Sequence, residues 1–198
     1  MDYYTENAAR LSRRYRSRSA EDVHRDWLSL VGAGRTPGLA CDVGAGSGRD
    51  AQWLAKQGWS VVAVEPSAGM RELAMADNIA QLEWVDDSLP DLAVLSARPQ
   101  RFDLILVSAV WQHLEPAARA GAVAALSHLL RPQALLVITL RHGSDTDENA
   151  LRGFFTVSAV ELEAQAQAAG LTLVSCRRRD DEARAHIQWE TCVFSKRA

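Results

Sequence analysis

The sequence predicts a doubly wound α/β fold, a mostly parallel sheet with helices on both faces, and three observations carry that prediction. From residue 39 onward, apolar runs of strand length alternate with amphipathic segments of helix length. The first run, Leu39-Ala40-Cys41-Asp42-Val43, passes directly into Gly44-Ala45-Gly46-Ser47-Gly48, a turn whose missing Cβ atoms let the backbone approach a ligand. Glu65 closes the next run, Val61-Val62-Ala63-Val64, where an acid is placed to hydrogen-bond a ribose diol.

Ahead of the first strand, Tyr4, Ala8, Leu11 and Tyr15, and then Val23, Trp27, Leu30 and Val31, recur at helical spacing and predict two leading helices. The segment Gly32-Ala33-Gly34-Arg35-Thr36-Pro37-Gly38 breaks that pattern. Helices are expected after Ser47, Ser67 and Pro116, and strands over 60–65, 82–86, 102–108 and 134–140. A last helix near 157–169, stopped by Gly170, precedes the strands Leu171 to Cys176 and Ile187 to Phe194. The polar stretch Gly143 to Gly153 reads as a mobile loop and part of a substrate lid.

At 198 residues, 47% hydrophobic and 24% charged, the chain fits one domain, 1–198, with 1–35 as a helical lid and 36–198 as the core. A net charge of −3 disfavours an extended nucleic-acid surface. Cys41, Cys176 and Cys192 are too scattered for a disulfide framework or a metal site, so reduced thiols in a cytoplasm are expected and no metal is. No signal-peptide core and no membrane-length apolar run is present, which points to a soluble protein, either a monomer or a homodimer. Arg10, Arg13, Arg14, Arg16 and Arg18 read as a solvated helix face, or as the source of one arginine reaching an anionic ligand group. The triplet Arg177-Arg178-Arg179 reads as a strand end facing water.

Taken together, these residues resemble class I S-adenosylmethionine (SAM) dependent methyltransferases over most of the chain. The first motif of that family matches Asp42 to Gly48, and its ribose acid matches Glu65 in Val64-Glu65-Pro66-Ser67-Ala68-Gly69-Met70. Its fourth strand resembles Phe102 to Ser108, and its fifth resembles Leu129 to Ile138. One departure is Pro132-Gln133-Ala134, where the family has Pro-Gly-Gly. The resemblance implies a seven-stranded sheet of order 3-2-1-4-5-7-6 with the last strand antiparallel, SAM as cofactor and S-adenosylhomocysteine (SAH) as product. Around that cofactor it places Asp42, Gly44, Ala45, Gly46, Gly48 and Asp50, then Glu65, Pro66, Ser67 and Met70. Asp86, Asp87 and Ser88 follow the third strand and Ser108, Ala109 and Val110 the fourth; of the two aspartates, Asp86 is favoured for the adenine amino group. Arg49 stands where a dinucleotide fingerprint needs its third glycine, which argues against a nicotinamide dehydrogenase.

Methyl transfer needs alignment and exclusion of water, and a general base only where the acceptor must lose a proton. His113, directly after the fourth strand, is the first candidate base, with a loop histidine packed on a helix as the alternative; His142 is the second. Trp111 is expected to wall the acceptor pocket, Arg141 to bind an acceptor carboxylate, and Tyr3, Tyr4 and Tyr15 to close over the ligands, with His186 and Trp189 as weaker candidates. The expected function is methyl transfer to a small molecule; the alternatives are a nucleic-acid or protein methyltransferase and a SAM-binding module without catalysis. Against nucleic acid, the fourth strand exits through Ser108-Ala109-Val110-Trp111, unlike the Asn/Asp-Pro-Pro-Tyr/Phe that grips an exocyclic amine.

Overall fold

A computed structural model describes residues 3–32, 36–143 and 146–197. Ala33, Gly34 and Arg35, the middle of the predicted break and the end of the expected lid, lie outside the described residues, as do Ser144 and Asp145 of the predicted mobile loop. The strands are β1 Leu39–Val43, β2 Ser60–Val64, β3 Leu82–Val85, β4 Phe102–Val107, β5 Leu130–Gly143, β6 Leu171–Asp181 and β7 Arg184–Lys196. They form a seven-stranded sheet in the order β3-β2-β1-β4-β5-β7-β6. β1 pairs in parallel with β2 and β4, β2 with β3 and β4 with β5, while β7 runs antiparallel to both β5 and β6.

The period-2 alternation of the strands divides the apolar residues between two faces. Cys41 and Val43, Val62 and Val64, Ile105 and Val107, and Leu136, Ile138 and Leu140 feed one core; Ala40, Val61, Ala63, Leu104, Leu106, Leu135 and Val137 feed the other. Each buried leucine or valine contributes about 1.5–3 kcal/mol relative to exposure. Helices α5 Arg49–Lys56, α6 Ala68–Met75, α7 Ala93–Ser96, α8 Arg119–Leu129, α9 Thr146–Arg152 and α10 Ala159–Ala168 complete the α/β part. The side chains of Ser67 and Ser158 cap α6 and α10 by accepting from the backbone N–H of Met70 and Glu161.

The leading segment departs from two helices: it forms α1 Tyr3–Glu6, α2 Ala8–Arg16, α3 Ala20–His24 and α4 Leu28–Gly32. The apolar spacing is intact, and between α1 and α2 both the backbone N–H and the side-chain amide of Asn7 donate to the Tyr3 carbonyl, at 3.1 and 2.9 Å. Ser19 starts α3 by accepting from Asp22 N–H at 3.1 Å. The polar stretch expected to be a loop holds α9, and the departure from Pro-Gly-Gly leaves Gln133 with a left-handed φ of 63°.

Candidate functional site

The glycine turn is held from both sides. Gly44, Gly46 and Gly48 all have left-handed φ angles, of 73°, 53° and 74°. The N–H groups of Gly44 and Ala45 donate to the Val64 carbonyl at 2.8 and 2.9 Å, tying the turn to the end of β2. On the other side, a Cβ on Gly44 would stand 2.3 Å from Cγ2 of Val110, at the exit of β4. Glu65 is 7% exposed, and its two carboxylate oxygens accept from Gly46 N–H at 2.7 Å and Ser67 N–H at 2.8 Å. The carboxylate is thereby fixed in the wall of a cleft of about 910 Å³, at the upper end of the ~300–1,000 Å³ usual for ligand pockets.

Asp42 lies beneath the turn and is not part of the cleft wall. Burial, reinforced by the nearby Asp50 charge, raises its pKa well above the ordinary carboxyl range, and its Oδ2 has no hydrogen-bond partner among the described residues. Asp50 does line the cleft. Burial pulls its pKa up, but contacts with His24 and Arg49 outweigh that and hold it below the ordinary value. Arg49 grips Asp50 bidentately at 2.6 and 2.8 Å, and His24 Nε2 lies 3.1 Å away. His24 Nδ1 accepts from the indole N–H of Trp27 at 3.2 Å. Gly48 is also outside the cleft wall: it caps α5, and a Cβ there would meet Trp84 at 3.1 Å.

The acid pair after β3 differs from expectation. Asp86 points outward, 67% exposed, and pairs with Arg71 at 2.9 Å; Asp87 lines the cleft and accepts from Ser88 N–H at 2.9 Å and Leu95 N–H at 3.0 Å. Pro66, Ser67, Met70 and Ser88 line the same region, with Met70 buried against Ala8 and Leu11. Ser108, Ala109 and Val110 form the opposite wall; Ala109 donates its N–H to Thr139 Oγ1 at 2.7 Å, and its carbonyl accepts from Gln112 at 2.6 Å.

Beyond β4, the cleft brings together His113, Tyr4 and Tyr15 with residues the sequence did not single out. Tyr4 Oη lies 2.9 Å from His113 Nε2 and accepts from Arg152 at 2.6 Å; Tyr15 Oη accepts from Arg152 at 3.0 Å. Burial, only partly offset by Arg152, pushes the Tyr4 phenol far above its ordinary pKa, so it stays protonated. The Phe154 ring meets His113 edge-on with centroids 4.7 Å apart. Two expectations are overturned here. Trp111 is 1% exposed and belongs to the core rather than the cleft wall. His142 is outside the cleft wall and faces Glu190 at 2.8 Å, because strand alternation sends its neighbour Arg141 into the cleft and His142 to the other face.

Arg141 is 6% exposed and donates to Asn149 at 2.9 Å and Glu148 at 2.6 Å. Opposite it in register is Trp189 of β7, whose indole N–H donates to Asp181 at 2.8 Å. Asp181 also accepts from Arg184 at 2.9 Å; burial raises its pKa, and hydrogen bonds from Arg184, Trp189 and Ala183 overcome that and hold it well below the ordinary carboxyl range. Tyr3 lies in the wall, while His186 does not. Of the basic cluster on α2 and beyond, Arg14 and Arg18 reach the cleft, and Arg16 instead donates to the Ser47 carbonyl and pairs with Asp77 at 2.7 Å. Arg179 also departs from a solvated strand end, donating to the carbonyls of Asp22 and Val23 at 3.1 and 2.6 Å and so fastening α3 to β6.

Among the described residues there is no cluster of metal-ligating side chains and no helix long and apolar enough to cross a membrane. A fixed carboxylate beside a glycine turn suits a ribose, and the distal arginines and aromatic rings suit a second, smaller molecule.

Comparison with known proteins gives the same picture. A family model described as a methyltransferase domain matches residues 12–176. An uncharacterized methyltransferase of Alkaliphilus oremlandii (strain OhILAs) is 31% identical over 101 residues, which are 51% of this chain and 44% of that protein. The chain thus spans less than half the length of that relative. Among solved structures, the N-methyltransferase NodS from Bradyrhizobium japonicum WM9 superposes with a TM-score of 0.70 at 14% identity, over 90% of this chain and 96% of that one. Magnesium protoporphyrin IX methyltransferase from Synechocystis PCC 6803, solved with bound SAM, gives 0.69 at 14% identity, over 99% and 85%. At such identities the likeness is one of fold.

Proposed function

The chain belongs to the methyltransferase-domain family, and from that premise we propose that it binds SAM and transfers its methyl group to a small organic acceptor. The observation that carries this reading is Glu65, locked by Gly46 and Ser67 N–H groups at the edge of a cleft that runs on to His113. The cofactor supplies an electrophilic methyl on a sulfonium. Glu65 would accept from the ribose hydroxyls, Met70 and the Asp87–Ser88 backbone would border the base, and the glycine turn would admit the amino-acid end. Arg14, exposed on α2 next to Tyr15, is suited to the amino-acid carboxylate.

At the acceptor end, His113 is the group placed to take a proton as the acceptor is methylated, with Tyr4 Oη 2.9 Å from its Nε2 and burial keeping the Tyr4 phenol from ionising in its place. Helices α1 and α2 act as the cover: Thr5 Oγ1 lies 2.9 Å from Ser67 Oγ, and Tyr4 and Tyr15 meet Arg152 over the cleft. A cleft closed by tyrosines and arginines, on a chain of net charge −3, favours a small acceptor over a long polyanion.

His113→Ala is expected to leave SAH affinity within about twofold and to lower turnover about 10²–10⁴-fold, the range of general base catalysis. Single-turnover kinetics with a labelled methyl group on an active acceptor reads both numbers. Unaltered turnover would remove His113 as the base, and tight SAM binding without transfer to any acceptor would favour a binding module.

A further inference from the structure

Resting on the reading of this cleft as a methyl-transfer site, we propose that the acceptor is a singly charged organic anion, a carboxylate on an aromatic body, held by Arg141, Arg152 and Arg184 against Phe154 and Trp189. Arg184 and Trp189 lie apart from the cofactor end, since β7 is three strands along the sheet from β1, about 14 Å at ~4.8 Å per strand; Arg152 reaches back to Tyr15, which borders Gly46.

Two unmet donors mark the place. The Nε atoms of Arg141 and Arg152 are buried and have no hydrogen-bond partner among the described residues, although both side chains line the cleft. A buried guanidinium N–H without an acceptor is unfavourable until an acceptor arrives. The charge balance has the matching sign. Glu148 lies 2.6 Å from Arg141, 2.8 Å from Arg152 and 4.0 Å from Arg184, and Asp181 lies 2.9 Å from Arg184. Among the described residues, three guanidiniums thus face two carboxylates, a surplus of one positive charge. Three other cations of the wall are matched, Arg49 by Asp50, Arg18 by Glu182 and Arg179 by Asp26, and Arg14 stands at the cofactor end. Burial lowers the pKa of Arg141, opposed by the Glu148 carboxylate and assisted by the Arg184 and Arg152 charges.

The rings define the rest of the acceptor. The guanidiniums of Arg141 and Arg152 stack over Phe154 at 4.9 and 4.6 Å from its centroid, and Arg184 lies 6.0 Å from that of Trp189. Two aromatic rings beside guanidiniums, both in the cleft wall, suit a flat ligand whose carboxylate meets the guanidiniums. The contact of His113 with Phe154 puts the base within reach of such a body.

The test is calorimetric titration of the full chain, first with SAH and then, SAH-saturated, with 4-hydroxybenzoate, 4-hydroxybenzamide and phenyl phosphate. The carboxylate is expected to bind at least about tenfold tighter than the amide, the worth of a charge-assisted hydrogen bond, and tighter than the phosphate dianion. Arg184→Gln is expected to erase most of that preference while leaving SAH affinity intact. With SAH bound, equal or weaker binding of the carboxylate, preference for phenyl phosphate, or no binding of any probe overturns the anionic acceptor alone. Failure of SAH itself to bind removes the methyltransferase reading and this proposal with it.

Discussion

Gly44→Ala is expected to abolish measurable cofactor binding and to destabilise the chain by about 2–5 kcal/mol. Two independent penalties add. A residue with a Cβ at φ 73° costs about 1–2 kcal/mol in the left-handed region. The new methyl would stand 2.3 Å from Val110 Cγ2, and such overpacking costs about 1–3 kcal/mol. The turn cannot slide away from the clash, because the N–H groups of Gly44 and Ala45 are both fastened to the Val64 carbonyl. Adding Val110→Ala removes the clash and leaves the backbone penalty, so the double variant should regain about 1–3 kcal/mol of stability. Urea midpoints of the wild type, both single variants and the double variant read this directly, and a wild-type midpoint for Gly44→Ala would contradict the geometry of the turn.

Glu65→Ala is expected to weaken SAH binding by about 1.5–3 kcal/mol, or about 10- to 150-fold in Kd, the worth of hydrogen bonds to a charged group. The carboxylate has a second task in holding Gly46 and Ser67, so its removal also frees the turn. Glu65→Gln should not rescue. Its amide nitrogen would face one of two N–H donors, where a donor meets a donor. Calorimetry on the three proteins checks both statements, and a Gln variant with wild-type affinity would show that the ribose is bound elsewhere.

The parts of this molecule that repeat a local rule were legible in its sequence. Alternation of apolar runs gave the sheet, and glycines with a closing acid gave Glu65 its place beside the turn, because both depend on residues adjacent in the chain. Orientation around a single residue was harder. Asp86 against Asp87, and Arg141 against His142, are decided by one step of strand register, which sends neighbours to opposite sides. Trp111 has the composition of a pocket wall but the burial of a core residue. The acceptor end was the least legible. Arg152 comes from the polar stretch read as a mobile part of a lid, Phe154 from just beyond it, and Asp181, Arg184 and Trp189 from a hairpin far along the chain. Only the antiparallel register that sets Trp189 opposite Arg141 brings them together.

The most direct test of the central claim is parallel calorimetric titration of the purified chain with SAM, SAH and NADH. The Glu65 carboxylate and the glycine turn, with Arg49 in place of a third glycine, predict micromolar binding of SAM and SAH and none of NADH. Binding of NADH alone, or of none of the three, would contradict the assignment of this cleft to S-adenosylmethionine.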